Sequence, residues 1–300
     1  MSRQLHICFF PLMAQGHMIP IINMAQLFAS RGLKTTIITT PFNAELHSDT
    51  INDSQNIGLD ITILVIKFPC ADTGMPQGRE SPGLATTPEM GYKPHCLVAD
   101  VFFPWATDVA AKLDIPRIVF HGTGFFSLCA SLSVLEYEPH EKVESDSEPF
   151  VFPNLPDEVI LIRKQLPPYV RRNAQRTGKE SELGCFGVVL NSFYELEPDY
   201  ADHYSMVLGR KAWHIGPILL LMDKIGGKGK WGRSRGFGDE HEFLKWLDLK
   251  EANSVVYICF GSMSSFSDAQ LMEIAMGLEA SGKQFIWVVK KERKEGVRGE

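Results

Sequence analysis

Two residues of this sequence stand where a proton could be moved. His17 follows the apolar run Leu5 to Phe10, which reads as a buried strand, and Asp100 directly follows a second run ending Leu97-Val98-Ala99. Ligands of an open parallel sheet gather outside the carboxyl ends of its strands, so both side chains are expected on one rim. A neutral imidazole there can take a proton from a hydroxyl nucleophile, and a carboxylate on its far nitrogen fixes the tautomer and stabilises the imidazolium that forms. The same placements also suit two helix caps, His17 for a helix beginning near Met18 and Asp100 for one beginning near Phe102. Spacing alone favours the caps.

A third feature is the loop Gly261-Ser262-Met263-Ser264-Ser265, which leads from a strand towards a helix N-terminus. Free backbone N–H groups and three hydroxyls suit a phosphate, and a Ser-rich turn with an N-cap accounts for the same residues equally well. Other chemistries lack their residues. The first loop has no G-x-G-x-x-G, there is no G-x-S-x-G elbow, and Gly226-Gly227-Lys228-Gly229-Lys230 lacks Walker spacing and a preceding strand. The nine histidines show no metal-ligand spacing, and His95 and Cys96 beside a strand read as packing, so no metal is expected.

The elements that must hold these residues alternate between short β-branched or aromatic runs and stretches of helical period, the pattern of a parallel sheet with covering helices. Leu5 to Phe10 is followed by Ile21, Met24, Ala25 and Phe28 at helical spacing before Gly32, and Thr35 to Thr39 is the next strand. Further strands are expected at Ile61 to Ile66, Cys96 to Ala99, Arg117 to Phe120, Val188 to Asn191 and Trp213 to Ile215, with helices after Phe102, Thr123 and Glu195. This makes residues 1–216 one doubly wound α/β domain. Residues 217–240, rich in Gly, Lys and Arg, read as a flexible linker. The pattern then restarts: strand Val255 to Phe260, a capping-box pair Ser267 and Gln270, helical spacing to Leu278, a stop at Gly282, and strand Phe285 to Val289. Residues 241–300 thus open a second α/β domain, which one βαβ unit does not complete. The run Lys290 to Glu300 reads as a solvated end.

Composition narrows the partners. A net charge of −6 gives no general attraction for nucleic acid or anionic lipid, which leaves small molecules. The six cysteines are scattered without a C-x-x-C pair and read as reduced core thiols. The N-terminal apolar run is too short to span a bilayer and lacks a charged leader and a cleavage site, so a cytoplasmic protein is expected.

Four ordered stretches then carry a resemblance: Phe10-Pro11-Leu12-Met13-Ala14-Gln15-Gly16-His17-Met18-Ile19-Pro20, Leu97-Val98-Ala99-Asp100-Val101-Phe102-Phe103-Pro104-Trp105-Ala106, Val189-Leu190-Asn191-Ser192-Phe193-Tyr194-Glu195-Leu196-Glu197, and Ser254-Val255-Val256-Tyr257-Ile258-Cys259-Phe260-Gly261-Ser262. Together they resemble plant UDP-dependent glycosyltransferases of small molecules, over nearly the whole chain except residues 69–94. The resemblance implies a GT-B fold, two Rossmann-like doubly wound parallel-sheet domains. It implies that His17 deprotonates an acceptor hydroxyl, that Asp100 orients His17, and that the oxygen displaces UDP with inversion, without metal or cofactor. Gly16, Gly261 and Ser262 would meet the donor, UDP-glucose, and Phe102 would line the acceptor pocket, with acceptors drawn from flavonoids, other phenolics, terpenoids or hormones.

Two departures from the family pattern follow. The family's donor-binding signature box belongs beyond residue 300, so the chain reads as truncated, with weakened donor binding and turnover not expected of these residues alone. A noncatalytic binding module for the acceptor is the competing reading. Residues 69–94 carry five prolines and four glycines, so no crossover helix is expected there.

Overall fold

The computed structural model of the protein describes residues 4–66, 93–167, 170, 182, 184–222, 240–261 and 264–289. Its chain divides into two compact units, Met1–Arg233 and Ser234–Glu300.

The first unit is built on strands short enough, and apolar enough, to be covered on both faces. In chain order it contains β1 (His6–Phe10), α1 (Gln15–Ala29), β2 (Lys34–Thr39), α2 (Pro41–Leu46), α3 (Ser48–Asn56), β3 (Ile61–Val65) and β4 (Cys96–Asp100). There follow α4 (Ala106–Lys112), β5 (Arg117–His121), α5 (Phe125–Tyr137), β6 (Pro149–Val151) and β7 (Ile160–Ile162). The unit closes with β8 (Gly187–Leu190), α6 (Pro198–Asp202), β9 (Ala212–His214) and α7 (Ile218–Met222). Among the described residues, seven strands form one sheet in the order β3-β2-β1-β4-β5-β8-β9, and every pairing in it is parallel.

Alternation along β1 distributes the core. Phe9 points to the face covered by α1, where Met18, Ile21 and Met24 bury beside Val98 and Phe120. Cys8 and Phe10 point to the other face, against Phe103, Ala106 and Ala110 of the α4 region. The chain runs outward from β1 to β2 and β3, and then returns to place β4 on β1's other side, with Phe9 opposite Val98 and Phe10 opposite Ala99. That reversal opens a crevice at the carboxyl ends of β1 and β4.

The second unit repeats the βαβ theme with α8 (Glu240–Asp248), β10 (Val255–Cys259), α9 (Asp268–Ala280) and β11 (Gln284–Val288). Strands β10 and β11 pair in parallel, Val255 opposite Gln284 and Cys259 opposite Val288. Helix α9 starts with the expected reciprocal cap: the Gln270 N–H donates to the Ser267 hydroxyl, and the Ser267 N–H donates to the Gln270 side chain. It stops where Gly282 turns to φ +62°.

Several expectations need correction. The run 217–240 is not linker throughout, because the apolar stretch Ile218–Met222 forms α7 and buries Ile218 in the core beneath α1; residues 223–239 lie outside the described residues. Helices α2 and α3 and the antiparallel pair β6–β7 have no counterpart in the apolar pattern. Helix α3 buries only Ile51 and Ser54, too few positions to show a period. Cys8 and Cys129 are buried thiols as expected, with burial pushing each up to about 12, but Cys259 is exposed. The expectation for residues 69–94 falls almost wholly outside the described residues, and so do Cys70 and the run Lys290 to Glu300.

Candidate active site

The rim of the crevice is shaped by how β1 and β4 end. After Phe10 the backbone bends, Ala14 is extended (φ −122°, ψ 142°), and α1 begins at Gln15. His17 is therefore a residue of the helix's first turn, its N–H donating to the Ala14 carbonyl at 2.9 Å, and it is not a cap. Met18, one position on, is fully buried and locks the rotation of the turn, so His17 is directed to the rim. Pro20, inside the helix, has no N–H to offer the Gly16 carbonyl. Gly16 itself is exposed, and a Cβ added there would meet nothing within 4 Å.

Asp100 is the last residue of β4 and is wholly buried. It does not cap a helix starting near Phe102, because α4 begins at Ala106. Its carboxylate is instead divided between two donors. Oδ1 accepts the Phe102 N–H at 3.2 Å, and Oδ2 lies 2.7 Å from His17 Nδ1. A carboxylate only accepts, so the proton between them belongs to Nδ1, and in the neutral imidazole Nε2 carries the lone pair. His17 keeps 24% of its side-chain exposure against 0% for Asp100, so the pair is a buried acceptor holding a reachable imidazole. The Phe102 ring stands edge-on to the imidazole with centroids 5.5 Å apart and is itself exposed.

The three residues expected at the acceptor side are thus assembled in one place. Gly261 belongs to the second unit, where it follows β10 with φ +74°, a conformation that favours glycine. Ser262 lies outside the described residues. Among the described residues no group of three or more His, Cys, Asp or Glu side chains is placed to hold a metal ion. Among them also no helix is long and apolar enough to cross a membrane.

Sequence reasoning missed a second carboxylate near this rim. Glu197 accepts the Phe126 N–H at 2.8 Å and the Ser192 hydroxyl, so it caps α5 from a different segment of the chain. A Cβ on Gly124 would overlap that carboxylate, which explains the glycine. The signal was the quoted stretch Asn191 to Glu197, whose acid serves a helix 71 residues earlier and so leaves no local pattern. His121, at the end of β5, turns instead to the buried Glu182 at 3.3 Å, with Arg210 3.8 Å from the same acid. Burial pushes the Glu182 carboxyl up, but the His121 hydrogen bond and the His121 and Arg210 charges outweigh it and hold the group below its ordinary range.

A histidine held by a buried carboxylate thus stands at the switch point of the sheet. The sequence profile described as UDP-glucoronosyl and UDP-glucosyl transferase matches residues 96–297. The chain belongs to this family. It is 51% identical to UDP-glucose flavonoid 3-O-glucosyltransferase 7 of Fragaria ananassa, over 98% of this chain and 64% of the relative. It is 48% identical to scopoletin glucosyltransferase of Nicotiana tabacum, over 96% of this chain and 66% of the relative. The chain therefore spans about two thirds of the length of these relatives. Among solved structures, the transferase UGT73P12 of Glycyrrhiza uralensis, complexed with glycyrrhetinic acid 3-O-monoglucuronide, matches with a TM-score of 0.82 and 34% identity over 97% of this chain and 64% of that one. Medicago truncatula UGT71G1 complexed with UDP-glucose shares the fold, with a TM-score of 0.72 at 21% identity, over 97% of this chain and 67% of that one. The two α/β units of this UDP-glycosyltransferase chain are of the GT-B type expected from its motifs.

Proposed function

We propose that this chain takes part in inverting transfer of glucose from UDP-glucose to a hydroxyl of a small lipophilic acceptor, a flavonoid or related phenolic, terpenoid or hormone, in the cytoplasm. The observation that carries the proposal is the 2.7 Å contact between His17 Nδ1 and the buried Asp100 carboxylate, which in the neutral imidazole puts the proton on Nδ1 and leaves the Nε2 lone pair free. In the proposed step Nε2 takes the acceptor's hydroxyl proton as its oxygen bonds to the anomeric carbon. The bond from that carbon to the UDP oxygen breaks, and UDP leaves with its electron pair. Attack opposite the leaving group inverts the centre. Asp100 keeps the imidazole oriented and offsets the positive charge that it gains.

Phe102, exposed and edge-on to His17, offers an aromatic wall to the acceptor. Gly16, exposed in the first turn of α1, is assigned to the donor because a helix start suits phosphate oxygens, and Gly261 and Ser262 are assigned to it from the family motif alone. No metal or resident cofactor is required by this step. Support for the substrate class comes from relatives named for flavonoid and scopoletin glucosylation at 51% and 48% identity. The test is to incubate the protein with UDP-glucose and a panel of flavonols and coumarins and to look for glucosides by mass spectrometry. Product that disappears in His17→Ala supports the reading. Acceptor binding without product in either protein, and without any effect of UDP, replaces it with a noncatalytic binding module.

A further inference from the structure

Arg117 opens β5 opposite Leu97, whereas Asp100 closes β4 three residues further along. At roughly 3.3 Å per residue the two backbones are about 10 Å apart along the sheet. The arginine side chain spans that gap while remaining buried, with 3% of its surface exposed. At its end the guanidinium gathers three acceptors of one turn. Nη2 donates to the Asp100 carbonyl at 3.1 Å, and Nη1 donates to the Pro104 carbonyl at 3.4 Å and to the Thr107 hydroxyl. The turn so tied carries the Asp100 carboxylate at its start and Phe102 in its middle.

We propose that Arg117 is a positioning residue for the His17–Asp100 pair, acting through the Asp100–Thr107 turn; the inference rests on the function proposed above. The hydrogen bonds named above go to two backbone carbonyls and the Thr107 hydroxyl, and none of them is to an atom of the proposed reaction. A cation is costly to bury, and desolvation lowers the guanidinium's pKa. An apolar residue would fill the same space without that cost. What an apolar residue lacks is a rigid fork of donors that fixes several acceptors at once. Asp100 needs such fixing because its two carboxylate oxygens serve different partners, and a displacement of ~1 Å at a reacting group can cost ~10²-fold in rate. Without Arg117 the turn keeps its backbone bonds, Val101 N–H to the Phe120 carbonyl at 3.2 Å, Phe103 N–H to the Asp100 carbonyl at 3.1 Å and Ala106 N–H to the Phe103 carbonyl at 3.0 Å, but it loses the fork that ties its start to its end, and the carboxylate is freer to drift from Nδ1.

The test reads the imidazole directly, so it does not depend on turnover. His17 in the ¹⁵N-labelled 300-residue chain is assigned with His17→Gln, and its tautomer is compared in wild type, Asp100→Asn, Arg117→Met, Arg117→Lys and Thr107→Val at one pH. The inference expects the wild type to be protonated at Nδ1 and Arg117→Met to show a mixture of tautomers. Thr107→Val should shift the same way by less, with Arg117→Lys restoring part of the wild-type signal. Wild-type His17 spectra in a folded Arg117→Met, or in Thr107→Val if the methionine variant does not fold, would overturn it and leave Arg117 as a fold support. An Asp100→Asn spectrum unchanged from wild type would sink the dyad reading itself, and this inference with it.

Discussion

Replacing Asp100 by asparagine changes one atom and should reverse the polarity of the base. In the native pair Oδ1 takes the Phe102 N–H at 3.2 Å and Oδ2 takes the proton of His17 Nδ1 at 2.7 Å. An amide has one oxygen for these two donors. If that oxygen stays with Phe102, the amide NH₂ faces Nδ1, which must then accept, and the imidazole proton moves to Nε2, the nitrogen that should take the acceptor's proton. If the amide flips, the base is correct but NH₂ faces the part-buried Phe102 N–H. Leaving that N–H unsatisfied costs about 1–3 kcal/mol, which holds the competent form to a minority by a factor of about 5 to 150. The competent minority also loses the charged partner for its imidazolium, worth a further 1 to 1.5 kcal/mol or so, about tenfold. The product is a fall of about 10²- to 10³-fold in kcat, inside the range general-base catalysis supplies. Acceptor KM should change little, because neither carboxylate oxygen faces the acceptor. The assay is initial-rate glucoside formation from UDP-glucose and a flavonol, beside thermal melts to show that both proteins are folded. A folded Asp100→Asn protein within fivefold of wild type would refute the reasoning, whatever its structure.

Three other outcomes follow from the packing and the ionisable groups. Gly124→Ala should lower the stability of the first unit by about 1–3 kcal/mol in chemical denaturation, since its methyl would overlap the Glu197 carboxylate that caps α5; the pair Gly124→Ala with Glu197→Ala should recover part of that loss. Cys259 is exposed, whereas burial raises the Cys8 and Cys129 thiols to about 12, so iodoacetamide at pH 8 should alkylate Cys259 and spare the other two until denaturant is added, read by peptide mass spectrometry. Burial lowers the pKa of His6, His47 and His214 below 6.5 in the folded chain, so at mildly acidic pH the unfolded chain binds more protons than the folded one. Stability is therefore fully present above pH 6.5 and falls as the pH drops towards the folded values, and melts across that window should flatten when His47 is replaced by Asn.

How far the residues alone revealed this protein depends on whether a signal was local. Strands β1, β4, β5 and β10 were legible because each is an uninterrupted apolar run bounded by polar or turn residues. Helix α9 was legible because both its caps lie within the same stretch, Ser267 with Gln270 at one end and Gly282 at the other. Helices α2 and α3 were not, since a helix that buries only Ile51 and Ser54 has no period to detect. At the candidate site, position on the rim was readable for His17 and Asp100, but their use was not. The capping alternative fell only when α1 proved to begin at Gln15, before His17, and α4 at Ala106, well after Asp100. Glu197 and Arg117 were unreadable for the same reason as each other. Each acts on a segment reached through the fold, Glu197 on the start of α5 and Arg117 on the turn after β4, where neither residue type nor spacing announces the partner.

The order β3-β2-β1-β4 has a consequence for when the chain acquires its chemistry. His17 and Asp100 are separated by 83 positions and approach each other only because β1 and β4 share hydrogen bonds. A nascent chain that has folded β1, α1, β2 and β3 already presents an imidazole, but one without its acceptor. Closing so long a loop is slow relative to forming the local units, so the pair is assembled at the step that joins the two halves of the sheet. A slip of one residue in that step would turn Asp100 to the opposite face and leave a folded-looking sheet with an idle histidine. The tautomer of one side chain is thereby a report on strand registration, and a way to count correctly assembled molecules in any preparation of this protein.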